Sequence, residues 1–311
     1  MRIVFMGTPD FAVRSLQALL QAGHRVTLAV TQPDKPKGRG NKVQFPPVKQ
    51  AALAAGVPVM QPLTLKDPAV QDAIRAEQPD AIVVAAYGRI LPQAVLDIPP
   101  LGCINVHGSL LPRYRGAAPV QRAVLNGETQ SGITTMLMDK GMDTGAILLT
   151  AACPIPPDMT AGELFDKLAD IGAQLLLRTL DERQAGRLPG TPQDDALATY
   201  APMLTKQEAE LDWALPAQQL HNQVRGLNPA PVARTVMAGL PVKIYRTAAG
   251  GPVKGRPGTV ASTSPLTVVC GDGTGLELLE VQPDGGKRMP AAAFLCGHPL
   301  KAGQILAEKE F

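Results

Sequence analysis

The sequence predicts an α/β protein: a doubly wound, mostly parallel sheet followed by a small C-terminal β-barrel. Three observations predict it. Strand and helix signals alternate through the first 187 residues, as repeated strand–helix–strand units require. The run Asp80-Ala81-Ile82-Val83-Val84-Ala85-Ala86 is continuously apolar, as in a sheet covered on both faces. From about Val232 the helical period gives way to short β-type runs split by Gly and Pro.

The elements follow in order. Arg2-Ile3-Val4-Phe5-Met6 reads as a buried strand, and Thr8 as the N-cap of a helix whose first residue is Pro9. That helix carries Phe11, Leu16, Leu19 and Leu20 and stops at Gly23. Arg25 to Thr31 is the second strand, Ala51 to Ala55 lies in a second helix closed by Gly56, and Val57 to Met60 is a short strand. A helix over Asp67 to Glu77 leads into the Asp80 strand, and one near Pro92 to Leu96 leads into the Ile104 strand. There follow a helix (Pro119 to Leu125), two strands (Ile133 to Met138, Ala146 to Thr150) and a long helix from about Ala161 to Gln184. Leu188 to Leu204 carries Pro189, Gly190, Pro192, Asp194, Asp195 and Pro202 with no sustained period, and reads as a linker. Beyond it lie short helices around Lys206 to Leu211 and Pro216 to Arg225. The strands are then Leu240 to Tyr245, Gly258 to Ala261, Leu266 to Cys270 and Leu276 to Val281. The expected organisation is therefore a domain over 1–187, a linker over 188–205 and a β-barrel over 206–311.

The 311 residues suffice for two domains with real cores. A net charge of +3 is too small for a globally basic surface, so polyanion binding must come from a local patch. The four cysteines (Cys103, Cys153, Cys270 and Cys296) form no C-x-x-C pair and sit at no metal spacing with histidine, so they read as buried reduced thiols and no metal is expected. Met1 to Gly7 lacks a signal peptide's apolar core, and no run approaches a membrane span. A cytoplasmic protein without membrane contact is expected.

Chemistry concentrates in Cys103-Ile104-Asn105-Val106-His107-Gly108-Ser109-Leu110-Leu111-Pro112. On a strand Asn105 and His107 point the same way, roughly 7 Å apart. An amide donor beside an imidazole at a strand's carboxyl end suits a carbonyl whose oxygen must take negative charge. Met138-Asp139-Lys140-Gly141-Met142-Asp143-Thr144-Gly145 forms an Asp/Gly loop after the next apolar strand, from which Asp143 could reach His107. A carboxylate beside an imidazole favours the charged ring and permits proton shuttling near neutrality. Gly7-Thr8-Pro9 lacks the second and third glycines of a dinucleotide fingerprint, and Pro9 removes a phosphate-binding N–H, which argues against NAD. The stretch Asp34 to Lys42 holds four cations (Lys35, Lys37, Arg39 and Lys42) against one anion, and projects from the same carboxyl edge as the Asn/His strand. A flexible basic loop there could hold a nucleic-acid backbone and order on binding. Lone His24, His221 and His298 read as surface or capping residues, and Trp213 and Tyr245 as core.

Asn-Val-His-Gly-Ser-Leu-Leu-Pro with Arg-Tyr-Arg-Gly, and Met-Asp-Lys-Gly-Met-Asp-Thr-Gly, resemble the folate-dependent formyltransferases. Phe-Met-Gly-Thr-Pro-Asp-Phe-Ala, Thr-Gln-Pro-Asp-Lys-Pro-Lys-Gly-Arg-Gly and Gly-Ala-Ala-Pro-Val-Gln narrow the resemblance to members acting on initiator methionyl-tRNA, and it covers nearly the whole chain. It implies a Rossmann-like catalytic domain, an OB-like tRNA-binding barrel and 10-formyltetrahydrofolate as co-substrate. It further implies catalysis by Asn105, His107 and Asp143, and a folate pocket lined by Tyr87, Gly88, Ile90, Ser109, Leu110, Leu111 and Pro112. Lys35, Lys37, Arg39 and Lys42 would meet the acceptor stem, Arg39 matching the family's key cation. Lys243, Arg246, Lys254, Arg256, Lys287, Arg288 and Lys301 would offer a backbone platform, diluted by Glu277, Glu280 and Glu308. Ala230 stands where relatives often carry an aromatic, so no stacking is expected there. The expected protein is a monomer. Two alternatives remain: a formyltransferase for a small amine (glycinamide ribonucleotide or an amino sugar), which needs neither basic loop nor barrel, and a non-enzymatic RNA-binding module, which gains nothing from the Asn/His/Asp set.

Overall fold

Seven strands build the sheet that carries Asn105 and His107. The computed structural model describes residues 1–37 and 42–306, and the chain divides into two compact units. The first comprises 1–119, 131–154 and 165–202; the second comprises 120–130, 155–164 and the residues from 203 onward.

In the first unit, β1 (Arg2–Gly7), α1 (Asp10–Gln21) and β2 (Arg25–Val30) open the chain. A two-stranded hairpin, β3 (Lys35–Lys37) and β4 (Lys42–Gln44), precedes α2 (Pro47–Ala54) and β5 (Val59–Met60). Then come α3 (Pro68–Ala76), β6 (Ala81–Ala85), α4 (Gln93–Leu96), β7 (Cys103–His107), β8 (Arg115–Gly116), β9 (Gln130–Leu137), β10 (Ile147–Pro154) and, from residue 165, α6 (Ala161–Gln184), while α5 (Pro119–Leu125), between β8 and β9 in the chain, belongs to the second unit from residue 120. Sheet order is β10-β9-β7-β6-β1-β2-β5. The ladders β6–β7, β1–β6, β1–β2 and β2–β5 are parallel, while β9 runs antiparallel to β7. The chain winds outward from β1 through β2 and β5, then resumes on the other side of β1 with β6, and at such a reversal a doubly wound sheet opens a crevice at its carboxyl edge.

Both faces are covered, which explains the unbroken apolar strands. Val4, Met6, Leu28, Val30, Ile82 and Val84 pack with Ile74 of α3 and Val95 of α4. On the other face the Gly172 Cα of α6 lies so close to Val106 and Ile133 that a Cβ would stand 2.9 Å from the Val106 methyl. Each fully buried Val, Ile or Leu contributes about 1.5–3 kcal/mol.

Thr8 does not cap α1. The cap is Pro9 and the helix starts at Asp10, because the Thr8 hydroxyl is engaged across the strand ends, donating to the Tyr87 carbonyl at 3.4 Å and accepting from the Gln32 N–H. Capping is as expected at α3, where the Asp67 carboxylate accepts from Ala69 N–H. α6 begins with a reciprocal capping box, in which Thr160 N–H donates to Glu163 and Glu163 N–H to the Thr160 hydroxyl.

The segment expected as a linker is not a free tether. Thr191 exchanges both backbone hydrogen bonds with Ile147 of β10, and β11 (Tyr200–Ala201) pairs in parallel with β8. Residues 188–202 belong to the first unit.

In the second unit, α7 (Ala217–Gly226) packs on one antiparallel sheet. Its strands are β12 (Ala233–Met237), β13 (Leu240–Pro252), β14 (Val260–Thr263), β15 (Leu266–Val269), β16 (Thr274–Pro283) and β17 (Met289–Pro290), followed by α8 (Ala291–Gly297). The order is β12-β13-β16-β15-β14, with β17 on β16. Register shifts at Ile244/Arg246 and Ala249/Pro252 bend the long β13–β16 ribbon. The expected helix over 206–211 is a single tight turn over Gln207–Ala209. Trp213 is core, its indole N–H donating to Thr235. Tyr245 is not, since its hydroxyl reaches Gln282 and Arg288 stacks on its ring. His221 is buried between the Thr247 hydroxyl and the Pro157 carbonyl, a core histidine instead of a surface one. His298 caps α8 and stacks on Phe294. Cys103, Cys153 and Cys270 are buried and Cys296 is exposed; burial pushes the Cys103 and Cys270 thiols up to about 12.

One ion pair here sets a pH dependence. Glu208 accepts from Arg122 and from the Thr205 N–H and hydroxyl, and these bonds, Arg122 foremost, hold its carboxyl down at about 2. A depressed carboxyl contributes stability above its unfolded value, lost as pH falls from about 5 towards 2. The pair is partly exposed, so Glu208→Gln is expected to cost about 1–2 kcal/mol at pH 7. Urea melts of the two proteins should converge near pH 2; a constant gap across that range would remove the ion pair as the cause.

Candidate active site

β7 delivers the site by simple alternation. Ile104 and Val106 are buried towards α6, while Asn105 and His107 emerge on the other face at the strand's carboxyl end. Asn105 lies opposite Val84 of β6 and Met136 of β9, and His107 opposite Thr134. Thr134 is fully buried and pins the chain leaving His107: its hydroxyl donates to the Ser109 carbonyl at 2.7 Å and accepts from Leu111 N–H at 3.0 Å.

Asp143 arrives from the loop between β9 and β10. Its Oδ2 accepts from the Gly116 N–H at 2.9 Å and stands 3.6 Å from His107 Nδ1. Its Oδ1 accepts from Asn105 Nδ2 at 3.4 Å. Asn105 and His107 therefore converge on the Asp143 carboxylate. The His107 side chain is 6% exposed and that of Asp143 16%, so the group is largely withdrawn from water.

His107 Nε2 lies 3.0 Å from the Tyr114 carbonyl. A carbonyl can only accept, so Nε2 carries the hydrogen and the proton that Asp143 can hold or take is the one on Nδ1. The Asn105 and His107 contacts to Asp143 are long, as pairs in a resting site often are before substrate tightens them. Two non-glycine residues here adopt the left-handed region, Asp143 at φ +57° and Tyr114 at φ +61°. Such backbone costs about 1–3 kcal/mol and persists only where its surroundings enforce it.

The other expected site residues divide. Tyr87 and Gly88 follow β6, neighbour to β7, so they share the carboxyl edge with Ser109 to Pro112. Tyr87 is buried in the core, and its carbonyl already accepts from Thr8 and from Gln32 Nε2. Ile90 is 73% exposed. The Ser109 hydroxyl donates to the Arg113 carbonyl at 2.6 Å and Leu111 is buried, so these two shape the loop from within. Lys35 is exposed at the base of the β3–β4 hairpin, and Lys37 pairs with Lys42 in backbone register. Arg39 lies outside the described residues. The hairpin base is anchored by Asp34, which accepts from Lys49 at 2.6 Å and from Gln61 at 2.7 Å and is held below the usual carboxylate range by these bonds. Among the described residues no group of three His, Cys, Asp or Glu is placed to hold a metal, and no helix is long and apolar enough to cross a membrane.

Three residues escaped sequence reasoning. Gly116 supplies the N–H to Asp143, and at φ +122° with a Cβ position 2.8 Å from the Ala201 carbonyl it admits only glycine. Buried Arg115 and Gln193 bind each other behind it. Gln193 sits among Pro and Asp residues with no local signal of its role.

The formyl transferase family profile matches residues 1–180, and that of the formyl transferase C-terminal domain matches 203–299. The methionyl-tRNA formyltransferase of Moorella thermoacetica is 53% identical over 308 residues, covering 98% of this chain and 99% of the relative. That of Trichlorobacter lovleyi is 51% identical over 311 residues, covering 99% and 98%. Among solved structures, an N-formyltransferase from Helicobacter canadensis in complex with folinic acid and dTDP-3-aminofucose has a TM-score of 0.67 at 18% identity, over 89% of this chain and 98% of that one. HypX from Aquifex aeolicus in complex with tetrahydrofolic acid also has a TM-score of 0.67, at 16% identity, over all of this chain and 51% of that one. These two show a shared fold. With a catalytic-domain profile over more than half its length and full-length relatives at half identity, the chain belongs to the methionyl-tRNA formyltransferase family.

Proposed function

We propose that this protein transfers the formyl group of 10-formyltetrahydrofolate to the α-amino group of initiator methionyl-tRNA, with Asn105, His107 and Asp143 as the reacting residues. The observation that carries the site is the convergence of the Asn105 amide and the His107 ring on the Asp143 carboxylate at the carboxyl end of β7. The amine nitrogen attacks the formyl carbon and forms the new C–N bond. The carbonyl oxygen becomes an oxyanion, for which the second hydrogen of the Asn105 amide and the His107 Nδ1–H are the available donors, since Nε2–H is held by the Tyr114 carbonyl. Asp143 orients His107 and takes the proton released by the amine, directly or through a water. The bond to folate N10 then breaks, and N10 leaves with the proton that Asp143 took from the amine. The strand-end backbone at Tyr87, Gly88 and Ile90 and the turn Ser109 to Pro112 are assigned to the folate, where main-chain groups can read a pterin edge as they read a base. No metal is required.

The near full-length match to methionyl-tRNA formyltransferases supports the tRNA acceptor over a small amine. The basic residues Lys35, Lys37, Arg39 and Lys42 are assigned to the acceptor stem. In the 206–311 domain Arg246 is paired with Glu163 and Arg288 with Glu280, and Lys243, Lys254, Arg256, Lys287 and Lys301 are assigned as the cations for the RNA backbone. The reading is of a cytoplasmic monomer.

The deciding experiment offers 10-formyltetrahydrofolate with methionyl-tRNA, glycinamide ribonucleotide or an amino sugar. Formylation of a small amine in preference to methionyl-tRNA overturns the reading. Arg39→Ala is expected to raise KM for tRNA roughly tenfold, the scale of one lost phosphate contact, with folate KM unchanged. An equal fall in folate affinity would mean that the loop is not a dedicated RNA contact.

A further inference from the structure

The segment 191–201 is strapped across the two loops that form the site. Thr191 pairs with Ile147, the Thr199 hydroxyl accepts from Tyr114 N–H at 2.8 Å, and Arg115 N–H donates to the Thr199 carbonyl at 2.8 Å. Between these anchors stands Gln193. Its Nε2 donates to the Asp143 carbonyl and to the Gly145 carbonyl, each at 2.8 Å. Its Oε1 accepts from Arg115 Nε at 3.1 Å and Nη2 at 2.8 Å. Arg115 is 2% exposed, and its Nη2 also meets Asp195 at 2.7 Å.

We propose that Gln193 is a positioning residue for formyl transfer, setting where the Asp143 carboxylate stands relative to His107. This rests on the reading of Asp143 as a reacting group. A carboxamide has two donor hydrogens and two acceptor lone pairs, and Gln193 uses all four. No other side chain of this reach does both: a carboxylate has no hydrogens for two carbonyls, and a cation cannot accept from Arg115. The bonds close a ring. Asp143 Oδ2 is held by Gly116 N–H, Gly116 follows Arg115, the Arg115 guanidinium is held by Gln193, and Gln193 holds the Asp143 carbonyl. Asp143 is thus gripped at its backbone and at its carboxylate from the same direction. That grip accounts for a left-handed aspartate that no glycine relieves.

The test is steady-state formylation of methionyl-tRNA by Gln193→Ala and Gln193→Glu, each in the wild-type and Asp143→Asn backgrounds, with thermal melts of every variant. Gln193→Glu keeps the acceptor for Arg115, removes both donors to the loop and sets a negative charge against the two carbonyls they held. Both single variants are expected to lower kcat roughly 10–100-fold, the scale for partners that orient a reacting ligand, with KM for each substrate within about twofold. In the Asp143→Asn background Gln193→Glu is expected to have no further effect on kcat. An unchanged kcat in Gln193→Glu, or losses that multiply in the double variant, would overturn the proposal. If Asp143→Asn itself turns over normally, the assignment of Asp143 fails instead. Should Gln193→Ala melt early, the Gln193→Glu comparison decides alone.

Discussion

Asp143→Ala is expected to lower kcat for formyl transfer by about 10²–10⁴-fold, because in the proposed mechanism it removes the proton acceptor and the group that orients the His107 ring. Asn105→Ala and His107→Ala each remove one proposed oxyanion donor, with an expected loss of about 10²–10³-fold, or about 2.7–4 kcal/mol of transition-state stabilisation. The loss should fall on kcat with KM for both substrates little changed, since these contacts strengthen as charge develops. The double variant His107→Ala with Asp143→Ala should be no slower than the worse single variant, because the two groups act as a unit. Single-turnover formylation with purified methionyl-tRNA measures all four, and circular dichroism shows whether each stays folded. Near-normal turnover by any single variant removes that residue from the reaction.

Gly145→Ala is expected to inactivate the protein without touching a reacting group. A Cβ at Gly145 would stand 1.7 Å from the Leu137 carbonyl, a distance no real contact allows, and the obstacle is backbone. The β9–β10 loop must therefore shift, carrying Asp143 and the carbonyl that Gln193 holds. A displacement of about 1 Å at a reacting group can cost roughly 10²-fold in rate. The steric cost to stability is about 1–3 kcal/mol, so the melting midpoint should fall by several degrees. Wild-type kcat with an unchanged melting midpoint would mean that the loop accommodates a methyl group, and that Asp143 is not held as tightly as the contacts imply.

Much of the site was legible along the chain because its groups are local. Asn105 and His107 are two residues apart on a strand, so pleat alone aligns them, and the Asp/Gly loop follows the neighbouring strand. The long helix Ala161–Gln184 was legible for the same reason, since its capping box lies within four residues. The misreadings share a different cause. Thr8 has the chemistry of an N-cap, but the strand ends it faces are 24 and 79 residues away and compete for its hydroxyl. His221 reads as an isolated polar residue until β13 and the Pro157 carbonyl close around it. Residues 188–202 read as a linker because Pro, Gly and Asp suppress periodicity, yet those residues trace a strap whose partners lie 44 to 87 residues away.

The sequence by itself determined the class of fold and the family whose motifs it carries, and it marked Asn105, His107 and Asp143 as the candidate set. Period, turn chemistry and motif are properties of neighbouring residues, and no folding is needed to see them. Only the tertiary structure decided that His107 Nε2 is committed to the Tyr114 carbonyl, that Gly116 supplies the N–H to Asp143, and that Gln193 holds both loops at once. Each is a hydrogen bond between groups that chain order keeps apart, formed because burial away from water leaves a polar group no other partner.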